Sequence, residues 1–326
     1  MTTVTVAIPT LNGADVLDET LAAVQAQRLG SLHHVELLVC DSGSRDGSVT
    51  IARRHGAEVI EIAPEEFSHG ATRNLLMDRS RGEYVAFLTQ DSVPADDGWL
   101  DALLGGFELA DDVALTFGPY RPRDDASVMV ARDLVEWFRS LAPDGLPRLE
   151  RLAPGERDIA PMALLGPRGF FTDANGCVAR AAWESVPFRR VPYAEDHVLA
   201  HDMMRAGYAK AYIPNAAVIH SHEYSVWNWL RRSFDEYRGL SDVYGFVPPL
   251  DLRWPVLQVW GHVGADWRWA RRGTPAAPCL ASVGILTRSL PHRLLRTVGA
   301  LLGGRADRLP AGLVRTLSLE GRTRGP

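Results

Sequence analysis

The 326-residue chain has few cysteines, no long apolar run and no leader-like segment at its start. Its three cysteines, Cys40, Cys177 and Cys279, lie far apart and form no CxxC pair. This argues against a disulfide scaffold and a structural zinc site, and is typical of a reducing, cytoplasmic compartment. Because no run of about 18 apolar residues occurs, no membrane-spanning helix is expected. The first residues carry no basic and apolar segments of a secretory signal.

Charge is also modest, but it is unevenly distributed. A net charge of −5 makes a general nucleic-acid-binding protein a poor candidate. Residues 250–326, however, hold twelve arginines, four acidic residues and no lysine, a local net charge of +8. Such an asymmetry between parts of a chain indicates a region with a distinct surface role.

Within this basic region, residues 289–302 predict an amphipathic helix with Ser289 as its N-cap and Pro291 in its first turn. The expected apolar face consists of Leu290, Leu294, Leu295, Val298, Leu301 and Leu302. Arg288, His292, Arg293 and Arg296 lie away from that face. A basic amphipathic helix of this kind can lie in the headgroup layer, so peripheral contact with the inner face of the membrane is one hypothesis. The alternative is that the helix packs on the protein's own core.

The first third of the chain alternates short apolar runs with helical patterns. Strands are predicted at residues 4–9, 35–40, 59–62, 84–88 and 114–118, with helices between them. This indicates an α/β fold with an open, mostly parallel sheet flanked by helices. Further along we expect a long loop over residues 142–169, an extended stretch over 170–180 and a helix over 195–206. From residue 227 onward the pattern is helical, basic and rich in tryptophan.

Polar clusters follow several of the predicted strands, and ligands bind beyond the carboxyl ends of strands in such sheets. The segment 41–48 contains Asp41 and Ser44, whose oxygens can accept hydrogen bonds from a base or a ribose, and glycines that allow close backbone approach. The alternative is an ordinary turn with a helix cap. Neither a GxGxxG fingerprint nor a Walker loop is present, which disfavours a dinucleotide oxidoreductase.

Candidate metal ligands lie at two other strand ends. Asp91 ends a strand and can hold a divalent cation on a diphosphate; the alternative is a turn or cap residue. His220 and His222 follow a later strand. We do not expect both histidines to bind one ion together, although one of them could be a ligand. The alternative for each is a packed, hydrogen-bonded histidine.

Two helix starts also carry candidate chemistry. Glu195 and Asp196 open a helix whose positive end favours the ionised carboxylate, as a general base near neutral pH requires; the alternative is simple compensation of the helix dipole. The backbone N–H groups of residues 69–74, with Arg73, could hold a phosphate group. The alternative there is an ordinary capped helix start.

Taken together and in order, these segments resemble the pattern of glycosyltransferase family 2, and within it the bacterial rhamnosyltransferases. The resemblance covers about residues 4–225, and its most specific parts are HGATRN (69–74), TQDS (89–92), AEDH (194–197) and IHSHEYS (219–225). It implies a GT-A fold, with a nucleotide-sugar half at about residues 1–118 and an acceptor half at about 119–225. Residues 226–326 would then form a helical, basic C-terminal region.

The resemblance also implies transfer of a sugar from a nucleotide sugar, with inversion and with a divalent metal, Mg²⁺ or Mn²⁺. Carried over residue by residue, the nucleoside and donor-sugar contacts would come from Thr10, Asn12, Asp41, Ser44, His69, Arg73, Asn74 and Gln90. Asp91 would hold the metal, and Asp196, with Glu195 beside it, would be the base. The family's usual DxD motif is here Gln90-Asp91-Ser92, which leaves one carboxylate and makes His220 and His222 candidates to complete the ligand set.

The expected donor is dTDP-L-rhamnose, and the expected acceptor is a hydroxyl of a glycan or lipid-linked glycan in cell wall or polysaccharide biosynthesis. A different nucleotide sugar, such as a UDP-hexose or UDP-galactofuranose, is the first alternative. A non-catalytic subunit that binds a nucleotide sugar is the second.

Overall fold

A computed structural model describes residues 2–30, 33–272 and 282–319. Two compact units make up the chain. The first comprises residues 1–121, 137–191 and 195–220, and the second comprises residues 122–136, 192–194 and 221–326. Cys279 and the arginines at 322 and 324 lie outside the described residues.

The first unit is built on two sheets. The strands of the described residues are β1 (Thr2–Thr10), β2 (His33–Asp41), β3 (Glu58–Glu61), β4 (Tyr84–Leu88), β5 (Val93–Pro94), β6 (Val113–Phe117), β7 (Tyr120–Arg121), β8 (Arg148–Glu150), β9 (Asn175–Ala179), β10 (Ala209–Tyr212) and β11 (Val218–Ile219). The larger sheet has the order β3-β2-β1-β4-β9-β6-β10-β8, and the smaller one the order β5-β11-β7.

Helices alternate with the strands and continue beyond them. They are α1 (Ala14–Gln25), α2 (Ser48–Arg54), α3 (His69–Arg79), α4 (Trp99–Gly105), α5 (Val128–Leu141), α6 (Arg180–Ser185), α7 (Glu195–Ala206), α8 (Val226–Tyr244), α9 (Arg253–Arg271), α10 (Ser282–Gly303) and α11 (Ala311–Leu317). Among the helices of the described segments, none combines the length and apolar composition needed to cross a bilayer.

The predicted α/β architecture is confirmed, because β1, β2, β3 and β4 run parallel to one another and helices flank the sheet. β4 and β6 are apolar over nearly their whole length and almost completely buried, as strands covered on both faces must be. The predicted extended stretch 170–180 contains β9, which runs antiparallel between β4 and β6. The predicted loop 142–169 holds the short strand β8, which pairs antiparallel with β10.

The C-terminal amphipathic helix differs from its prediction. It begins at Ser282 rather than at Ser289, and Pro291 lies inside it. Ser289 is buried, and its Oγ donates a hydrogen bond to Asp266 Oδ2 of α9 at 2.5 Å. Ser289 is therefore a packing residue of α10 and not its cap.

Most of the basic face predicted for this helix is turned into the second unit, although Arg288 is exposed. Arg293 is buried and donates from Nε to Asp266 (2.9 Å) and from Nη1 to Asp133 (2.6 Å). Arg296 donates from Nη1 to the same Asp133 at 2.8 Å, and His292 is buried. These side chains join α5, α9 and α10 through buried ion pairs, so they do not form a surface for phospholipid.

Candidate active site

The carboxyl ends of β1 and β2 bring two predicted donor-site residues side by side. Thr10 pairs with Asp41 in the parallel register, and both side chains are buried. Asp41 Oδ2 accepts hydrogen bonds from the backbone N–H groups of Gly43 (3.0 Å) and Ser44 (2.9 Å). Asp41 Oδ1 and Thr10 Oγ1 have no hydrogen-bond partner among the described residues. Since buried polar atoms are normally satisfied, this strand end suits a ligand that supplies hydrogen bonds, such as a nucleoside.

The neighbouring polar side chains fix the loops around this strand end. Ser44 Oγ accepts a hydrogen bond from Asn12 N at 2.7 Å, and Asn12 Oδ1 accepts one from Arg45 N at 2.9 Å. Asn12 has a φ of 47°, a left-handed conformation that asparagine tolerates better than most residues. Gln90 binds the backbone of Leu11 through both its Oε1 (2.9 Å) and its Nε2 (3.2 Å). Contact of Asn12, Ser44 or Gln90 with a donor stays a prediction.

Gly13, the residue before α1, allows this arrangement. A Cβ at position 13 would lie 2.5 Å from Gln90 Oε1, so a larger residue would displace the Gln90 side chain. Glycine at position 13 therefore leaves room for the Gln90 amide to bind the backbone of Leu11.

A candidate metal site lies at the turn after β4. β11 pairs with β5, with Ile219 opposite Val93, and this pairing brings the chain after Ile219 next to the turn that contains Asp91. His220 Nδ1 lies 3.5 Å from Asp91 Oδ1. Ligand atoms of Asp91, His220 and His222 all lie within 4.8 Å of one another. The expectation that the two histidines would not converge is wrong, because residues two apart on an extended chain face the same side.

The donor set fits a divalent cation. One carboxylate and two imidazoles form a mixed oxygen and nitrogen set that divalent transition metals accept. Mg²⁺ usually prefers oxygen ligands, so this set favours Mn²⁺ between the two candidate ions. That a histidine takes the place of the second carboxylate of the family's DxD motif stays a prediction.

Arg73 lies in a buried cluster of acidic residues. Its side chain is 3% exposed. Its Nη2 donates to Asp173 Oδ1 at 2.7 Å, and its Nη1 lies 2.9 Å from Glu195 Oε1. The guanidinium that the sequence suggested for phosphate is therefore engaged with two carboxyl groups, and the geometry supports a role in holding the start of α7. His69 Nδ1 lies 3.7 Å from the same Glu195 oxygen.

Asn74 also takes a structural position. Its Oδ1 accepts hydrogen bonds from Trp183 Nε1 (2.8 Å) and Phe188 N (3.0 Å), and its Nδ2 donates to Phe188 O (2.8 Å). The side-chain amide thus fastens α3 to the segment that precedes α7, which is a different use from the donor contact that the sequence suggested.

Asp196 is the carboxylate in this region that the ion pairs leave accessible. It is partly exposed at the start of α7, and its Oδ1 accepts a hydrogen bond from His197 N at 2.8 Å. Burial raises the pKa of Asp196; the charge of Glu195 adds to this effect, and His197 opposes it. A raised pKa makes a carboxylate a stronger base, which suits proton abstraction from a hydroxyl.

Sequence reasoning missed Asp173. Burial raises the pKa of its carboxyl well above the usual range; Arg73 opposes this, whereas the charges of Glu195 and Asp196 and a hydrogen bond with Glu195 add to it. One cation beside three carboxyl groups favours retention of a proton by Asp173. No local signal could identify this residue, because its partner Arg73 lies 100 positions earlier in the chain.

Comparison with known proteins gives consistent results. A sequence profile of Glycosyl transferase family 2 matches residues 5–158. The O-antigen chain rhamnosyltransferase WbaN of Salmonella anatum is 30% identical over 240 residues, which are 72% of this chain and 71% of that protein. The O-antigen chain rhamnosyltransferase RfbN of Salmonella typhimurium is 27% identical over 71% of this chain and 70% of its own length.

Solved structures share the fold. The mannosyltransferase PcManGT from Pyrobaculum calidifontis, in complex with GDP-Man and Mn²⁺, superimposes with a TM-score of 0.58 at 19% identity. The match covers 93% of this chain and 86% of that one. The architecture described above is thus the GT-A fold.

Proposed function

Because the chain belongs to glycosyltransferase family 2, we propose that it is an inverting enzyme that transfers L-rhamnose from dTDP-L-rhamnose to a hydroxyl of a glycan or lipid-linked glycan. The family assignment follows from the identity with WbaN over more than two thirds of both chains. The names of WbaN and RfbN support rhamnose as the sugar and O-antigen-like polysaccharide as the type of product. The same proposal places the enzyme in the cytoplasm, at the inner face of the membrane.

One observation carries the catalytic proposal: Asp91, His220 and His222 bring three metal-ligating atoms together at the turn after β4. β4 is parallel to β1, so this turn lies at the same sheet edge as the Thr10–Asp41 strand end. A divalent cation held there would offset the charge that develops on a departing diphosphate. The adjacent strand end offers buried acceptors for the nucleoside.

Asp196 is proposed to act on the acceptor. Its carboxylate takes the proton from the acceptor hydroxyl while that oxygen bonds to the anomeric carbon. The bond between the anomeric carbon and the diphosphate oxygen breaks, and the nucleoside diphosphate leaves with the electron pair. Attack from the side opposite the leaving group inverts the configuration. Glu195, paired with Arg73, holds the helix start that orients Asp196.

The test is a binding and turnover screen against dTDP-L-rhamnose, UDP-glucose, UDP-galactofuranose and GDP-mannose in the presence of Mn²⁺. A ligand at 100 times its Kd stabilises the folded state by about 2.7 kcal/mol, which a thermal shift resolves readily. We expect the largest shift, and the release of dTDP, with dTDP-L-rhamnose. If only the UDP-sugars shift the Tm, the proposed donor is wrong and a UDP-sugar takes its place. If a nucleotide sugar binds but no nucleotide is released in the presence of acceptor glycans, the result supports a non-catalytic subunit.

A further inference from the structure

An exposed apolar surface runs along α9 and the residues before it. Leu250, Leu252, Val256, Leu257 and Trp260, called here the α9 ridge, are between 53% and 84% exposed. Contiguous exposed leucine, valine and tryptophan side chains usually mark a surface that binds another molecule.

The ridge continues as a stripe on one side of α9. Spacings of four and three residues place these positions in one row: Arg253, Leu257, Trp260, Gly264, Trp267 and Arg271. Arg271 lies over the Trp267 ring at 4.5 Å from its centroid. The row therefore has apolar side chains at its centre and an arginine at each end.

The exposed charges around the ridge are mainly positive. Residues 250–272 contain two acidic residues, of which Asp251 is exposed and Asp266 is buried. Asp251 accepts a hydrogen bond from Trp254 N at 2.8 Å, which satisfies the start of α9, and Asp266 is completely buried against Arg293. The exposed charged side chains of the helix are Arg253, Arg268, Arg271 and Arg272.

We propose that the α9 ridge docks on the surface of an anionic phospholipid bilayer. Tryptophan and leucine flanked by arginine, on a helix without exposed acidic groups, is the pattern of a helix that lies in the interfacial layer. Each arginine near such a surface is attracted to the anionic headgroups. A second copy of this chain fits less well, because a symmetric contact would place the same arginines against one another.

The sequence suggested the helix at residues 289–302 as the membrane surface, with Trp254, Trp260, Trp267 and Trp269 as interfacial anchors. Arg293 and Arg296 of α10 are paired with Asp133, whereas the arginines of α9 are exposed. The proposal is independent of the proposed donor and acceptor, because it depends on the exposure and charge of α9 alone.

The experiment is co-sedimentation of the full-length chain with vesicles of phosphatidylglycerol and phosphatidylcholine in equal parts, and with phosphatidylcholine alone. We expect binding to the anionic vesicles that weakens as salt rises, and little binding to the neutral ones. The double variant Leu257→Ser, Trp260→Ser should lose affinity at least tenfold, because withdrawal of even one large apolar side chain from the bilayer has an effect of roughly that size. The double variant Arg268→Gln, Arg271→Gln should bind with a weaker salt dependence.

A matched control removes exposed leucines elsewhere. Leu109 and Leu146 are 46% and 60% exposed, and the variant Leu109→Ser, Leu146→Ser should bind like the wild type. Equal loss in the ridge and control variants would overturn the proposal. So would a wild-type chain that stays in the supernatant with anionic vesicles at low salt, or one whose ridge variant abolishes a dimer seen by light scattering.

Discussion

Replacement of Arg73 by methionine separates the role that the structure assigns to this residue from the phosphate contact that the sequence suggested. The guanidinium is buried between Asp173 and Glu195, with N–O distances of 2.7 and 2.9 Å. Methionine fills similar space without a charge, so both carboxyl groups would lose their cation. Loss of one partner of a buried ion pair costs about 3–5 kcal/mol.

The expected loss is measurable in two ways. With an unfolding entropy of about 2.1 cal/mol/K per residue, each kcal/mol lowers the Tm of a chain of 326 residues by about 1.5 °C, so Arg73→Met should lower it by roughly 4–7 °C. Without the cation the two carboxyl groups favour the protonated form, so the deficit in unfolding free energy should shrink as pH falls from 7 to 5. Chemical denaturation at both pH values measures this change.

Activity should distinguish the two roles. If Arg73 holds the start of α7, kcat falls because Asp196 is no longer oriented, and the donor KM changes little. Arg73→Lys keeps the charge but not the forked geometry and should show a smaller loss. A variant with wild-type stability and a raised donor KM alone would refute the positioning role and restore the phosphate contact.

An exposed arginine provides the control. Arg53 pairs with Glu61 at 2.6 Å, with side chains 60% and 57% exposed. Arg53→Met should change the free energy of unfolding by about 1 kcal/mol or less, because exposed ion pairs contribute little.

Three further predictions concern the carboxyl groups. Asp196→Asn should lower kcat by about 100- to 10,000-fold and leave donor binding intact. The control Asp202→Asn, on the same helix, should keep its kcat. An Asp196→Asn variant with more than half of the wild-type turnover would mean that another residue is the base. EDTA should stop turnover and Mn²⁺ should restore it; full activity in EDTA would contradict a role for the metal. Asp91→Ala should weaken binding of the nucleotide sugar more than binding of the nucleoside, and Asp97→Ala is the control. The raised pKa of Asp173 means that folding stability falls as pH rises from the ordinary carboxyl pKa toward the raised one. Asp173→Asn should therefore flatten the stability profile above the ordinary carboxyl pKa, and an unchanged profile would mean that Asp173 does not retain its proton.

The sequence by itself determined the alternation of strands and helices, since hydrophobic periodicity is a local property. It placed β4 at Tyr84–Leu88 and α7 at Glu195–Ala206 with the bounds that the structure has. It also identified the residues that follow the strand ends, because the carboxyl ends of parallel strands share one edge of the sheet.

Only the tertiary structure decided which of these side chains meet. The pairing of β11 with β5 brings His220 to Asp91, and the fold brings Asp173 to Arg73 across 100 residues; no local pattern encodes either contact. The arginines of α10 looked like a solvated face because a helical pattern shows which residues share a side, but not what lies against that side. Asp133 and Asp266 lie there, and a buried guanidinium requires such partners, so Arg293 is turned inward.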